Sequence, residues 1–276
     1  MAVTTATTAE RGRAASRPYR MTDVLRSEWM KIRTLRSTTY TLLVTIGLGV
    51  GLGLLFTAAG AAGYGSGSAG DKASFDPTAT SVKSYILAQL ALGQLGVLAV
   101  TSEYATGMMR TSLTAVPRRA RLLGAKALVF CVVALVVGEI VAFAAFFAGQ
   151  PVLRARDVPS ASLGDPDVLR AVFGCGLYLA AIGLLGIALG TLLRATAGAL
   201  AVLVSVTLLI PVISTALPGS WPNAVHKWWP TSAGSRIMAV HHDSEALGPW
   251  QGYGVLLAAV AVILAAAFVV LRRRDV

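Results

Sequence analysis

Residues 101–126, TSEYATGMMRTSLTAVPRRARLLGAK, carry five basic side chains, one acidic side chain and one proline. The stretch lies between two apolar runs, about 85–101 and 127–148, and each run is long enough to cross a bilayer. A charged segment held between two such runs has to lie on one side of the membrane. The sequence therefore predicts a multi-pass membrane protein whose orientation depends on this segment.

The chain as a whole contains six apolar runs of about the 20 residues that a transmembrane helix needs. The predicted spans cover residues 39–62, 85–101, 127–148, 171–193, 196–217 and 251–271. Hydrophobic residues make up 55% of the 276 and charged residues 13%, so we expect no separate soluble domain. We predict an all-α integral membrane protein with one six-span domain, residues 21–274, and a disordered cytoplasmic tail, residues 1–20.

Basic residues are unevenly distributed among the predicted loops. If both termini are cytoplasmic, 17 of the 24 Lys and Arg residues lie in cytoplasmic segments and seven in outer loops. The positive-inside rule therefore predicts cytoplasmic N- and C-termini. This topology, together with the attraction of basic residues to anionic lipid, explains the net charge of +11, so nucleic acid is not an expected partner.

The residues ahead of the first span, MTDVLRSEWMKIRTLRS (21–37), have the pattern of an amphipathic helix. Its apolar residues fall at helical spacing: Val24, Leu25, Trp29, Ile32 and Leu35. Its basic residues surround the other face: Arg26, Lys31 and Arg33. We expect a helix in the inner interface with Trp29 at headgroup level, while a simple extension of the first span stays open.

The central stretch predicts a short cytoplasmic helix from about Glu103 to Leu113, which Pro117 would end. One side of this helix is apolar: Tyr104, Met108, Met109 and Leu113. An apolar face with a basic rim favours docking into a groove on a soluble partner. The alternative is a positively charged loop that only fixes topology.

Motifs for catalysis are absent from the sequence. There is no glycine-rich loop ending in Gly-Lys-Ser/Thr, no His-Glu-x-x-His and no pair of catalytic carboxylates. His226 and the adjacent His241, His242 and Asp243 lack the spacing that would bring ligands together on one helix face. We therefore expect neither an enzyme nor a metal site in this chain.

Glu139 is the ionisable residue that lies deepest in a predicted span. An acid at that depth is costly, so we expect it to face protein or water as a substrate-path or gating residue, together with Gln89 and Gln94 of the second span. A structural hydrogen bond from Glu139 to one of these two amides is the alternative.

From about residue 20 to residue 274, the chain resembles the permease subunit of the type-2 ABC exporter family (ABC-2). Three segments carry the resemblance: VLRSEWMKIRTLRS, EYATGMMRTSLTAVPRRARLLGAK and WWPTSAGSRI. The second is the most specific, since it is similar to the family's pattern of Glu-Tyr, Gly, Arg, Pro-x-x-Arg and Lys between spans two and three.

The resemblance implies that the central stretch is a coupling helix that docks on a separate ATPase subunit. The candidate partner-binding positions are Glu103, Tyr104, Gly107, Met108, Arg110, Pro117, Arg118 and Arg121. ATP and Mg would bind to that partner ATPase, so this chain would need no cofactor of its own. The resemblance also implies a second permease subunit, in a homo- or heterodimer. Glycine pairs with small-xxx-small spacing offer candidate interfaces: Gly47 and Gly51, Gly49 and Gly53, and Gly186 and Gly190.

The sequence thus predicts a permease subunit of an ATP-driven exporter in a bacterial cytoplasmic membrane. An excess of Arg over Lys, with abundant Ala and Gly, is typical of a GC-rich bacterial genome. Two alternatives stay open. A secondary transporter would need ionisable residues in several spans, and a non-transporting anchor or signal-transmitting subunit could use the same ATPase.

Overall fold

The computed structural model describes residues 20–108, 119–241 and 246–273, and all regular structure within these ranges is helical. In chain order the helices are α1 (Met21–Thr34), α2 (Arg36–Tyr64), α3 (Ala69–Ala73), α4 (Pro77–Val82), α5 (Tyr85–Ala105), α6 (Arg119–Arg154), α7 (Val168–Leu193), α8 (Thr196–Val204), α9 (Ile210–Ser214), α10 (Trp221–Trp228), α11 (Pro230–Ser235) and α12 (Pro249–Arg273). A π-helical turn, Ser205–Leu209, joins α8 to α9, and a 3-10 turn, Arg236–Met238, follows α11.

Within the described ranges, six helical segments are long and apolar enough to cross a membrane, which confirms the predicted all-helical chain with six apolar spans. Spans 1 to 6 are α2, α5, α6, α7, the continuous α8–α9 segment, and α12. The helices extend beyond the predicted apolar runs: span 2 continues to Ala105 and span 3 covers Arg119–Arg154. The predicted tail lies outside the described residues, apart from Arg20.

Local backbone conformation separates the first two helices. Leu35 adopts an extended conformation, with φ −76° and ψ 103°, between the end of α1 and the start of span 1. α1 is therefore a helix of its own and not an extension of span 1.

At the opposite end of the molecule, local sequence determines where α4 begins. Asp76 accepts hydrogen bonds from the backbone N–H groups of Thr78 and Ala79, and Pro77 occupies the first helical position.

Span 4 forms the centre of the helix bundle. It packs against spans 2, 3 and 6, and 83% of the residues in its most apolar 18-residue stretch are buried. Spans 2 and 4 approach so closely that a Cβ atom added at Gly186 would meet the carbonyl oxygen of Gly93. Beside this crossing, the buried Tyr178 hydroxyl donates a 2.7 Å hydrogen bond to Oε1 of Gln89.

Spans 1 and 5 lie at the periphery. Only 22% and 17% of the residues in their most apolar 18-residue stretches are buried. Two of the three glycine pairs are used inside the chain: Gly49 and Gly53 pack on span 3, and Gly186 and Gly190 pack on span 2. Gly47 and Gly51 have no neighbouring atom within 4 Å of an added Cβ. Of the three predicted pairs, only this outward-facing one is available for an interface between subunits.

At the end of the bundle away from α1, α11 is packed among the spans. The Trp229 indole Nε1–H and the Thr231 hydroxyl both donate to the Val206 carbonyl oxygen, at 2.8 and 3.1 Å. Val206 lies in the π-helical turn of span 5, where the backbone departs from the regular i→i−4 pattern. The following Ile237 packs against Gly174 of span 4, so this segment joins spans 4 and 5.

Candidate functional site

Four charged side chains form a closed ring at the end of the molecule that carries α1. We call it the charge ring: Glu28, Lys31, Glu103 and Lys126. Oε1 of Glu28 lies 2.7 Å from the Lys31 ammonium, and Oε1 of Glu103 lies 2.9 Å from the same ammonium. The Lys126 ammonium donates to Oε1 of Glu103 at 2.8 Å and to Oε2 of Glu28 at 2.7 Å. Charges alternate around the ring, so it carries no net charge.

Three different helices supply the charge ring. Glu28 and Lys31 lie one turn apart on α1, Glu103 lies in the last turn of span 2, and Lys126 lies about two turns into span 3. Glu28, Glu103 and Lys126 are 3%, 5% and 6% exposed. Buried charges of this kind are tolerated only when they are paired and hydrogen-bonded, and removing one partner leaves another charge buried and unpaired.

Lys31 is the most accessible member of the charge ring. Burial lowers the pKa of Lys31, but hydrogen bonds to Glu28 and Glu103 and the charges of both carboxylates raise it by more, so the pKa lies above its ordinary value of 10.5. A raised lysine pKa stabilises the fold fully below pH 10.5, and this contribution is lost as the pH rises through the higher folded value. Lys31 is therefore charged at physiological pH and keeps its ion pairs with Glu28 and Glu103.

The buried strip of α1 differs from the apolar face that the sequence predicts. Val24 and Glu28 are buried one turn apart, whereas Trp29 and Leu35 are 47% and 53% exposed. Pairing with Lys126 makes Glu28 suitable for the buried strip. The signal in the sequence was an acid four residues after Val24 and three before Lys31, which places all three on one side of a helix.

A second group of contacts ties the end of span 2 to the turn between spans 4 and 5. The Arg194 guanidinium carbon lies 5.3 Å from the centre of the Tyr104 ring. The Thr196 hydroxyl donates a 3.0 Å hydrogen bond to the Thr101 hydroxyl. Arg194 has a positive φ of 53° where span 4 ends, and this conformation turns the chain toward span 5. The sequence around Arg194 does not indicate this contact, because nothing in its local pattern points to a partner in span 2.

The predicted coupling residues occupy different environments. Glu103 and Tyr104 belong to the last turn of span 2 and not to a separate helix, since α5 continues to Ala105. Gly107 ends this helical region with a positive φ of 71°, and Met108 is 45% exposed. Arg121 is exposed at the start of span 3. Arg110, Pro117 and Arg118, and the predicted helical residues after Met108, lie outside the described residues.

The Glu103 side chain is buried and not part of an exposed face. It is 5% exposed, and its Oε1 is held between two ammonium groups. What it does in this structure is fix the end of span 2 to α1 and to span 3. Tyr104 is half-buried against Arg194, so Gly107, Met108 and Arg121 are the exposed members of the predicted set within the described ranges.

The three candidate path residues are not brought together. The Glu139 carboxylate lies over Gly176 of span 4, and neither of its oxygens has a hydrogen-bond partner among the described residues. Gln89 is engaged with Tyr178 and donates to the Ile86 carbonyl oxygen, and Gln94 is exposed on span 2. The structure therefore shows no hydrogen bond from Glu139 to Gln89 or Gln94, and the path role of Glu139 stays a prediction.

Within the ranges that the structure describes, no group of three His, Cys, Asp or Glu side chains is arranged to hold a metal ion. His242 and Asp243 lie outside those ranges.

No protein-family model matches the sequence, and no curated protein matches it.

Proposed function

We propose that this chain is the permease subunit of an ATP-driven exporter of the ABC-2 type. It works as a pair of permease subunits with a separate ATPase that binds ATP and Mg, in a bacterial cytoplasmic membrane with both termini in the cytoplasm. ATP-driven movement of the ATPase displaces residues 106–118, and the spans then change between inward- and outward-open states. The resemblance of residues 101–126 to a coupling segment and the six apolar spans support this proposal.

The observation that carries the proposal is the position of the charge ring relative to this segment. Glu103 lies shortly before residues 106–118 in the sequence and Lys126 lies shortly after them, and the two side chains meet 2.8 Å apart. Lys31 and Glu28 bring α1 to the same point. A displacement of the segment is therefore passed to span 2, span 3 and α1 together. A loop that only fixed topology would not require both of its ends to be held by buried ion pairs.

The exposed side chains at the two ends of the segment indicate the chemistry of the partner. Met108 contributes an exposed apolar side chain, and Arg121 contributes an exposed positive charge. Methionine adapts to the shape of an apolar groove, and arginine pairs with carboxylates at its rim. We expect the ATPase to present an apolar groove bordered by acidic residues.

The test is co-purification from native membranes in a mild detergent. A P-loop ATPase should accompany the wild-type chain and be lost from a Met108→Glu/Arg121→Glu variant. A Met21→Glu/Arg273→Glu variant is the matched control, because it makes the same chemical changes at exposed positions outside the segment. Absence of any ATPase from the wild-type preparation contradicts the proposal. If the ATPase is bound but deletion of the chain leaves the cell's export of small molecules unchanged, the chain is instead a non-transporting subunit.

A second candidate function is secondary transport, and one observation favours it. Glu139 presents a carboxylate without a hydrogen-bond partner among the described residues, in the middle of span 3. An intramembrane acid of this kind is suited to carry a proton or to pair with a cation. If Glu139→Gln abolishes ion-driven uptake or efflux in vesicles that contain no ATPase, this function replaces the first. If transport instead requires ATP and tolerates the substitution, secondary transport is excluded.

A further inference from the structure

The outer side of α1 carries a row of exposed basic residues around an exposed indole. Arg26, Trp29 and Arg33 follow one another at spacings of three and four residues, which aligns them along one side of the helix. Arg36, also exposed, begins span 1 immediately after the extended residue Leu35. We call these four residues the basic stripe.

The charge ring determines the electrostatics of the basic stripe. Glu28 would otherwise be the nearest acid on α1, but it faces the opposite side of the helix and both of its oxygens are bound to ammonium groups. The other acid of α1, Asp23, accepts from the backbone N–H of Arg20 at the start of the helix. Within the described part of the chain, none of the three stripe arginines has a carboxylate within 4 Å. Three positive charges therefore face outward.

The surface that continues from the basic stripe is apolar. Span 1 begins at Arg36, and its next exposed large side chains are Tyr40, Leu43 and Val44, which are 66%, 59% and 55% exposed. A single ligand that covers both regions must have a negatively charged end and a long apolar end. A soluble acidic protein would satisfy the arginines but would leave this face of span 1 uncovered. The indole of Trp29 lies beside the charges, and indoles favour the boundary between headgroups and acyl chains.

We infer that the basic stripe binds anionic phospholipid, with the phosphate on Arg26, Arg33 and Arg36 and the acyl chains along the first turns of span 1. The charge ring holds α1 against span 3, so the stripe is presented in a fixed position and not on a free helix. This binding surface does not depend on the proposed transport function or on an ATPase. It also holds for either orientation of the chain, because only the bilayer surface next to α1 is required.

The experiment is a lipid titration of the purified full-length protein, followed by native mass spectrometry. Phosphatidylglycerol is the probe, and phosphatidylcholine with the same acyl chains is the control for tail binding. The Kd of the most tightly bound phosphatidylglycerol should rise about 25-fold in an Arg26→Gln/Arg33→Gln variant, roughly fivefold for each guanidinium. Arg26→Lys/Arg33→Lys should recover most of the affinity, because it restores both charges.

The matched control is Arg272→Gln/Arg273→Gln, which removes two exposed charges from the end of span 6. Its Kd for phosphatidylglycerol should stay within about twofold of wild type. Equal weakening in the two variants would mean that general charge attraction, and not the stripe, holds the lipid, and it overturns the inference. The same conclusion follows if the stripe variant binds phosphatidylglycerol as well as wild type does, or if it keeps the lipid but loses a co-purifying soluble protein.

Discussion

The ammonium group of Lys126 lies 2.7 Å from a carboxylate oxygen of Glu28, although 98 residues separate the two positions in the sequence. Both side chains are buried, so neither charge can be solvated if the other is removed. This contact fastens α1 to span 3. Together with the contact between Lys126 and Glu103, it places three helices in one rigid junction.

Removal of the Lys126 charge should destabilise the fold strongly. In Lys126→Met, both glutamates share the single ammonium of Lys31, and one buried carboxylate loses its closest partner. We expect the free energy of unfolding to fall by about 3–5 kcal/mol. The measurement is denaturant or thermal unfolding of the detergent-solubilised protein. Arg121→Met, an exposed site on the same helix, is the control and should change stability by less than about 0.5 kcal/mol.

The same junction allows a rescue experiment. Addition of Glu28→Gln to Lys126→Met leaves Lys31 and Glu103 as a matched pair 2.9 Å apart. The double variant should regain part of the lost stability, because the unpaired carboxylate is gone. If Glu28→Gln lowers the stability of Lys126→Met by as much as it lowers the stability of the wild type, the two effects are additive. The ring members then do not stabilise one another.

The crossing of spans 2 and 4 should not tolerate an added methyl group. In Gly186→Ala, the new Cβ meets the Gly93 carbonyl oxygen, which is backbone and cannot rotate away. We expect a loss of about 1–3 kcal/mol, seen as a lower unfolding temperature. Gly254→Ala in span 6 is the matched control, because it has open space around it and gains the helix propensity of alanine. A stabilised Gly186→Ala variant would show that the two spans do not cross at this point.

The bond between Trp229 and the Val206 carbonyl should hold α11 in place. Trp229→Phe removes the indole N–H and keeps an aromatic ring, at an expected cost of about 1 kcal/mol, which increases local opening about fivefold. Cys175 reports this opening, since the thiol is buried next to Gly174, where Ile237 packs. In a Cys131→Ser background, the rate at which a small thiol reagent labels Cys175 should rise about fivefold.

Trp228→Phe serves as the control for this measurement, because Trp228 is 60% exposed and adjacent in sequence. Its labelling rate should match that of the parent. Equal acceleration in both variants would show that the effect comes from loss of an indole in this region and not from the hydrogen bond to span 5.

Substitutions at Glu139 and at Gln89 should have different effects on stability. Glu139→Gln breaks no hydrogen bond within the described residues, so the unfolding temperature should be unchanged or higher. Gln89→Leu leaves the buried Tyr178 hydroxyl without its acceptor and should cost about 1–3 kcal/mol. A large loss in Glu139→Gln would point to a structural partner for this acid.

Much of the fold follows from hydrophobicity, whereas the charge ring does not. Six apolar runs of the right length predict six helices, and the structure extends span 2 by only four residues, to Ala105. Lys31, Glu103 and Lys126 each had a separate interpretation in the sequence and Glu28 had none, because pairs 23 to 98 residues apart cannot be recognised before the helices are arranged. Glu28 illustrates the difficulty. An acid among basic residues reads as surface until Lys126 is placed beside it.

The ring also sets an order of events during synthesis on the ribosome. Glu28 and Lys31 can pair as soon as α1 forms, because they lie three residues apart on one helix. Glu103 and Lys126 are translated later, and Lys126 brings span 3 with it. Until span 3 has been inserted into the bilayer, α1 has no fixed place to dock. α1 is therefore translated before the third span and is fixed in position only after it.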